Sequence, residues 1–255
     1  MNIFQAIILS IVEGITEFLP ISSTGHMIIV SKLLEIKETS FLTSFEISIQ
    51  LGAIIAVIIL YWKDLFLNLN IIKRLIAAFI PTAIIGLCLY KFVKNVLLIN
   101  SHVVSWSLLI GGFILIVFEK FANKNKQRYR TIEKIGYKQA ALIGLFQSIA
   151  IIPGVSRSAA TIIGGVLTGL NRKTAVEFSF LLAVPTMAAA TALDMIKNAS
   201  SFSNYDVFIL ITGMIISFVV AIISIKFLLH FVKKHSFVIF GIYRIFVGIL
   251  FLLIV

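Results

Sequence analysis

The feature that most constrains this chain is a series of apolar runs, each about 20 residues long, the length a helix needs to cross a bilayer. Stretches such as Leu75–Leu89 and Val207–Leu229 contain very few polar residues and lack the alternating pattern of a soluble core. The chain is 60% hydrophobic and only 13% charged. The sequence therefore predicts an all-α polytopic membrane protein that forms a single domain over residues 1–255.

The net charge of +11 does not change that class. Basic residues stand between the apolar runs and are not interleaved with exposed aromatic residues, which favours anionic membrane lipids as partners and argues against nucleic acid. The single cysteine, Cys88, excludes an intrachain disulfide. We expect the first residues to remain in the mature protein, because they lack a basic segment and carry Glu13 and Glu17.

Two apolar units are interrupted by polar segments. Asn2–Leu19 is followed by Pro20–His26 and then by an apolar arm that ends near Leu34. The same plan is repeated by Lys138–Ile152, Pro153–Ser158 and Ala159–Leu170. The second arm covers roughly 15 Å, about half of the hydrocarbon core. Both units are therefore predicted to be re-entrant helical hairpins, whose polar tips must pack in protein or line a cavity at membrane depth.

Short similarities recur between the two halves of the chain at an offset of about 130 residues, as in a duplicated membrane protein. The matching segments are Pro20 and Ser23 with Pro153 and Ser156, Phe45–Ser48 with Val176–Ser179, Lys91–Phe92 with Lys226–Phe227, and Ser105 with Ser236. They predict repeat 1 at about 1–121, a basic loop at about 122–137, and repeat 2 at about 138–255. Each hairpin is then followed by three full spans, near 44–61, 72–90, 103–119, 175–196, 206–229 and 237–255.

Three spans per repeat is an odd number, so the second repeat is predicted to have inverted topology. Fifteen lysine and arginine residues then fall on the side of the basic loop and five on the side of the amino terminus. The positive-inside rule makes the loop side cytoplasmic. The first hairpin is therefore expected to enter from outside and the second from the cytoplasm, so that the two tips meet near the midplane.

Ionisable residues inside apolar segments are the clearest functional signal, because they are rare and costly in a bilayer. Glu13 and Glu17 lie four residues apart on one helical face, where a divalent cation, a shared proton or Arg157 would relieve their repulsion. A structural cap or helix contact is the alternative for either acid. Arg244, another basic residue in an apolar run, is expected to pair with an intramembrane acid, the alternative being that it snorkels to the membrane surface.

The polar tips carry the residue types that phosphoryl chemistry uses. The first tip offers hydroxyls and an imidazole, which can serve as nucleophile and base beside the two acids or can form a helix cap. The second tip has the composition of an anion cradle, with a glycine, hydroxyls, a helix amino terminus and an arginine. Candidate phosphate-binding residues are Ser22, Thr24, Gly154, Ser156, Arg157, Ser158 and Thr161. A substrate with a hydrophobic tail would suit such a site.

Three motifs carry a family resemblance. Glu13–His26 reads EGITEFLPISSTGH, Pro153–Ser158 reads PGVSRS, and Glu177–Pro185 reads EFSFLLAVP. In this order they resemble the signatures of bacterial undecaprenyl-diphosphate phosphatases, the bacitracin-resistance family, and the likeness extends over nearly the whole chain. One departure is Ala159, where glycine is expected in many relatives.

The resemblance implies an enzyme of the bacterial plasma membrane, with its site facing outward, that removes the terminal phosphate of undecaprenyl diphosphate. It thereby implies recycling of the lipid carrier for cell-wall synthesis, and bacitracin resistance. The implied catalytic residues are Glu13, Glu17, Ser23, His26 and Arg157, with Ser156 and Thr161 on the phosphate side. Glu13 and Glu17 are candidate ligands for Mg²⁺ or Ca²⁺; no organic cofactor is expected, and a homodimer is a candidate assembly.

The sequence leaves several alternatives open. Ser23, His26 or an activated water is the nucleophile, and His26 or Glu17 handles the proton. Inverted repeats with broken helices are also typical of secondary transporters, so a transporter or flippase of a polyprenyl phosphate or anion is the second hypothesis. A structural membrane protein is the third, and it would leave two buried polar tips without a purpose.

Overall fold

The computed structural model describes residues 1–93, 97, 101–122, 131–197 and 203–254. In these ranges the chain forms eleven α-helices and no β-strand. The helices are α1 (Ile3–Thr16), α2 (Ser23–Leu33), α3 (Ser40–Leu60), α4 (Trp62–Phe66), α5 (Leu69–Phe92), α6 (Ser101–Phe121), α7 (Tyr137–Ser148), α8 (Arg157–Leu167), α9 (Arg172–Lys197), α10 (Asn204–Phe231) and α11 (Val238–Ile254). Residues 123–130 of the predicted basic loop and the side chain of Asp194 lie outside the described part.

Five helices, α3, α5, α6, α9 and α10, are long and apolar enough to cross a membrane. They correspond to the first five predicted spans, so the prediction of a multi-pass helical protein is confirmed. The sixth predicted span corresponds to α11, whose 17 residues are close to the shortest length that crosses a bilayer. Many large apolar side chains on these helices are exposed, as expected where lipid is the solvent.

The two interrupted units fold as pairs of short helices. In the first unit α1 has 14 residues and α2 has 11, and in the second α7 has 12 and α8 has 11. At 1.5 Å per residue these helices measure roughly 16–21 Å, so none of them crosses a core of about 30 Å alone. Polar caps define their ends: Asn2 and Gln5 form a capping box at the start of α1, and Ser156 caps α8.

The first helix of each short pair packs mainly on a long helix from the other half of the chain. Helix α1 packs against α10, and α7 packs against α5. Helix α3 lies against both α9 and α10, while α6 pairs with α11. This exchange of partners agrees with two related halves, whereas their inverted orientation stays a prediction. Both hairpin tips are thereby enclosed by long helices.

Candidate active site

The first tip joins an acid to a hydroxyl. Glu17 follows the last residue of α1 and continues its hydrogen bonding, since its N–H donates to the Glu13 carbonyl at 2.9 Å. The chain turns through Pro20, and Ser23 begins α2. The Ser23 hydroxyl donates to Glu17 Oε2 at 2.5 Å, a short distance for a hydroxyl–carboxylate bond. A carboxylate in this position can accept the hydroxyl proton and activate the oxygen for attack.

The second tip contributes Arg157, the first residue of α8. Its Nη2 binds Glu17 Oε1 at 2.8 Å, and its Nη1 donates to the Ser179 carbonyl of α9 at 2.9 Å. The guanidinium also lies 5.9 Å from the centre of the Phe18 ring. Its Nε is buried and has no hydrogen-bond partner among the described residues. The structure thus brings Glu17, Ser23 and Arg157 together, and one N–H of the guanidinium remains for a ligand.

The ion pair is well shielded from water. The side chains of Arg157 and Glu17 are 13% and 7% exposed. Breaking a buried pair by removing one partner typically costs about 3–5 kcal/mol, because the other charge is left uncompensated. In this site, Arg157 therefore both neutralises Glu17 and fixes the carboxylate orientation that faces Ser23.

Several predicted phosphate-binding hydroxyls form hydrogen bonds to protein groups in this structure. Ser158 donates to the Phe18 carbonyl at 2.7 Å and so ties the second tip to the first. Ser156 accepts from the Ala159 N–H at 3.1 Å as the cap of α8. Thr161 donates to the Arg157 carbonyl at 2.9 Å and lies 2.6 Å from the Ser179 hydroxyl. These side chains support the tip on which Arg157 is mounted.

The remaining hydroxyls of the first tip differ in exposure. Ser22 is buried, adopts φ 74°, and accepts from the Gly25 N–H at 3.4 Å as the cap of α2. Thr24 is exposed at the start of the same helix. Of the two, only Thr24 is therefore open to an approaching ligand.

His26 is buried, and both of its ring nitrogens are engaged. Nδ1 lies 2.7 Å from the Ser22 carbonyl, and Nε2 lies 2.8 Å from the hydroxyl of Tyr243 on α11. Because a carbonyl can only accept, Nδ1 carries the proton and Tyr243 donates to Nε2. The two rings are nearly parallel, with centroids 5.6 Å apart. His26 is thus held by Ser22 and Tyr243. The sequence had left open a role for His26 beside Ser23 and Glu17, and in this structure its ring nitrogens bind neither of them.

Glu13 lies one helical turn before Glu17 and is only 1% exposed. Its Oε1 is buried with no hydrogen-bond partner in the described part of the chain. The charged groups that interact electrostatically with the Glu13 carboxyl are Glu17, Glu46 and Arg157. No group of three or more His, Cys, Asp or Glu side chains suited to a metal occurs within the described ranges. Two carboxylates with one unused oxygen still fit a Mg²⁺ ion that takes its other ligands from water and substrate phosphate.

The Gly154 position is restricted by its backbone and its neighbours. Its φ of 87° lies in the left-handed region, which residues with a Cβ atom rarely adopt. A Cβ atom there would lie 2.7 Å from the Val104 carbonyl oxygen and 2.8 Å from Ser107 Cβ. The second tip therefore needs glycine to turn against α6, which is a structural requirement in addition to any role at a phosphate.

The expectation that Arg244 pairs with an intramembrane acid is wrong. Arg244 is 1% exposed and donates to three backbone carbonyls, those of Pro20 at 3.3 Å, Ser107 at 3.0 Å and Gly154 at 3.1 Å. The irregular backbone at the two tips leaves carbonyl oxygens without helical partners, and such oxygens compete successfully for a guanidinium.

Sequence reasoning missed three contributors to the site. Ser179 and Tyr243 bind Arg157 and His26, and the Phe18 carbonyl binds Ser158. The repeat comparison had singled out the segment that contains Ser179, so a signal for it existed. Tyr243 stands beside an intramembrane arginine but in an otherwise apolar run, and a backbone carbonyl leaves no trace in a sequence.

These features define a multi-pass helical membrane protein with a serine–carboxylate–arginine cluster enclosed between two helical hairpins. The chain belongs to the family described as bacitracin resistance protein BacA, whose family model matches residues 6–250. The family resemblance carried by the three sequence motifs is thereby confirmed.

Close relatives match along their full length. An undecaprenyl-diphosphatase of Aquifex aeolicus (strain VF5) is 54% identical over 251 residues, covering 98% of each chain. The undecaprenyl-diphosphatase of Sulfurihydrogenibium sp. (strain YO3AOP1) is 52% identical over 253 residues, covering 99% of each chain. That of Persephonella marina (strain DSM 14350 / EX-H1) is 53% identical over 255 residues and covers all of both chains.

Proposed function

We propose that this protein is a membrane-embedded phosphatase that hydrolyses undecaprenyl diphosphate to undecaprenyl phosphate and inorganic phosphate. Relatives named undecaprenyl-diphosphatase align with 98–100% of the chain, and the family description names bacitracin resistance. The product is the lipid carrier for cell-wall polymers.

The observation that carries this proposal is the chain of contacts from Ser23 through Glu17 to Arg157. A hydroxyl that donates to a carboxylate at 2.5 Å is an activated nucleophile, and the carboxylate bound to a guanidinium at 2.8 Å is held in place. Phosphoryl transfer depends mainly on positioning and on neutralising charge. Arg157 supplies the neutralising charge, and its Nε–H is available to a phosphate oxygen.

The first step transfers the terminal phosphoryl group to the enzyme. The Ser23 oxygen attacks the terminal phosphorus and its proton passes to Glu17, while the bond from that phosphorus to the bridging oxygen breaks. The leaving group is the polyprenyl phosphate. In the second step water attacks the phosphoserine, returns the serine hydroxyl and releases inorganic phosphate, with Glu17 again handling the proton. No oxidation or reduction is involved.

His26 supports the first tip in this mechanism. As nucleophile or base at Nε2 it would first have to give up the hydrogen bond from Tyr243, which lies 2.8 Å away. Attack through Nδ1 would likewise require release of the Ser22 carbonyl. The carboxylate of Glu17 needs no such rearrangement, which favours Ser23 as nucleophile over His26.

A divalent cation, Mg²⁺ or Ca²⁺, is part of the proposal. Glu13 would hold it through the oxygen that has no partner in the described part of the protein, and Glu17, whose oxygens bind Ser23 and Arg157 in this structure, would be the second carboxylate. Such an ion would neutralise phosphate charge and so lower the repulsion between an anionic substrate and two acids.

The proposed setting is the bacterial plasma membrane, with the site open to the outer side and the two repeats inverted. The support is the excess of basic residues on the predicted cytoplasmic side and the exchanged packing of α1 and α7. A homodimer remains a prediction.

Phosphate release from undecaprenyl diphosphate in detergent micelles tests the reaction, because transport produces no signal there. We expect turnover by the wild type, and losses of at least about 100-fold in Ser23→Ala and Arg157→Lys, as for residues acting at a transition state. Ser31→Ala is the matched control, since it removes a buried hydroxyl from the same helix, one without a partner in the described ranges. A wild type that moves lipid phosphate across liposomes without releasing phosphate would instead indicate a transporter.

Trapping the intermediate tests the nucleophile. Substrate labelled in the terminal phosphate is mixed with enzyme, the reaction is quenched, and the labelled side chain is identified by mass spectrometry. Label on Ser23 that disappears in Ser23→Ala supports the proposed steps. Label on His26, or turnover without any labelled protein, would exclude them.

A further inference from the structure

Arg244 binds both hairpin tips at once. Its Nη1 donates to Pro20 in the first tip, and its Nη2 donates to Gly154 in the second tip and to Ser107 on α6. It is among the largest fully buried side chains of the described chain. No acid forms an ion pair with it within the described ranges. Its Nη1 and Nη2 therefore bind backbone oxygens of three different elements, while its Nε is buried without a partner among the described residues.

An arginine suits this position for a physical reason. The planar guanidinium presents several donors in a fixed fork, so one side chain can satisfy carbonyls that approach from different directions. A lysine ammonium is compact and more strongly hydrated, and it cannot span the same set of oxygens. Carbonyls at membrane depth that lose a donor become costly, so the tips would rearrange to find new partners.

The direct bonds between the tips are few. Arg157 binds Glu17, and Ser158 donates to the Phe18 carbonyl. Both depend on the relative position of α1 and α8, two short helices that belong to different halves of the chain. Arg244 fixes that position from α11 by holding the backbone on each side.

We infer that Arg244 is a positioning residue that keeps the two hairpin tips in contact, so that Arg157 reaches Glu17 and Ser23. It does not touch the reacting groups itself. The inference rests on the proposed phosphatase function only where turnover is the measurement; the distance between the tips can be measured without it.

Gly111 on α6 offers an independent way to disturb this contact. A Cβ atom at Gly111 would lie 2.1 Å from Arg244 Nη2 and 2.8 Å from its Cζ. Replacing the glycine by alanine therefore pushes the guanidinium away from the carbonyls without changing residue 244 itself. Alanine also has the higher helix propensity, so α6 itself is not weakened by the change.

The experiment compares Arg244→Lys, Arg244→Met and Gly111→Ala with the wild type. Phe246→Leu is the matched control, because Phe246 lies on the same helix and is 60% exposed. Spin labels are placed at Ile15 and Ile152, exposed positions on the two hairpins, in a Cys88→Ala background. The distance distribution between the labels and the values of kcat and KM are measured on detergent-purified protein.

We expect one narrow distance distribution in the wild type and in Phe246→Leu, and a broader or longer one in the three test variants. We expect kcat to fall about 100-fold in these variants, the effect of misplacing a catalytic group by roughly 1 Å, with KM changed by less than about threefold. If the Arg244 variants do not fold, Gly111→Ala decides. Unchanged distances in Arg244→Lys and Gly111→Ala, or changed distances with full kcat, would overturn the inference. A wild type without turnover would refute the phosphatase but leave the distance test intact.

Discussion

Glu17→Gln is the substitution whose effect follows most directly from the geometry. It keeps the size of the side chain and removes the negative charge that accepts from Ser23 at 2.5 Å and pairs with Arg157 at 2.8 Å. A positioned general base contributes about 10²–10⁴-fold to a rate, equivalent to roughly 3–5.5 kcal/mol of transition-state stabilisation. We therefore expect kcat for phosphate release to fall by about 10³-fold.

The same substitution acts on stability. With the acid neutralised, the Arg157 charge has lost its partner in a site where its side chain is only 13% exposed. Removal of one member of a buried pair costs about 3–5 kcal/mol, and the Ser179 carbonyl recovers only part of this. Glu17→Gln should therefore also unfold at a clearly lower temperature in detergent, and activity must be compared where both proteins are folded.

The assay measures phosphate release by Glu17→Gln, Ser23→Ala and the double variant. Because Glu17 acts through the Ser23 hydroxyl, the double variant should be no slower than the slower single variant. Glu177→Gln is the control, since Glu177 forms a partly exposed pair with Lys173 on α9 and has no bond to Glu17, Ser23 or Arg157 among the described residues. Activity of folded Glu17→Gln within threefold of wild type, or losses that multiply in the double variant, would refute Glu17 as the base for Ser23.

Three further outcomes are expected. Gly154→Ala should lose about 1–2 kcal/mol of unfolding free energy because of its φ of 87°, and more because of the contact with the Val104 carbonyl. Gly86→Ala is the control and should not be destabilised, since no atom lies within 4 Å of the added carbon. Thermal unfolding in detergent compares the two variants, and equal stabilities would contradict the strain at Gly154. Tyr243→Phe removes the donor to His26 Nε2, which should cost about 1–3 kcal/mol of unfolding free energy. The ¹⁵N resonance of that nitrogen should move downfield, and an unchanged resonance would contradict the assigned tautomer. A chelator should abolish turnover, and turnover that resists the chelator would exclude the cation. Glu13→Gln should raise the Mg²⁺ concentration needed for half-maximal rate about tenfold, because the charge of the ligands sets the affinity for the ion.

The helices were predictable because lipid makes their signal strong. Long apolar runs identified the spans, and the interruptions at Pro20 and Pro153 identified the two broken units, since an exposed backbone cannot persist in hydrocarbon. Arg157 was identifiable for a related reason. A charged residue in such a segment needs a partner, and the nearby acids limited the choice.

The use of each hydroxyl was not predictable from the sequence. Ser156, Ser158 and Thr161 are as suited to a phosphate as to a backbone group, and only the fold shows that Ser158 binds the Phe18 carbonyl. Arg244 was misjudged for the same reason. Pairing rules consider side chains, while the carbonyls of Pro20 and Gly154 exist at every position of any sequence.

The pairing of Arg157 with Glu17 also explains how the proposed site can be stable inside a membrane when no substrate is bound. Without a ligand, each charge neutralises the other, which a low-dielectric site requires. A terminal phosphate would compete with Glu17 for the same guanidinium, beginning at Nε, which has no partner among the described residues. A guanidinium that turns toward phosphate would release Glu17, whose carboxylate would then be free to accept the Ser23 proton. Substrate binding would therefore activate the nucleophile, and a lysine at position 157, which lacks the fork, would weaken phosphate binding and this coupling together.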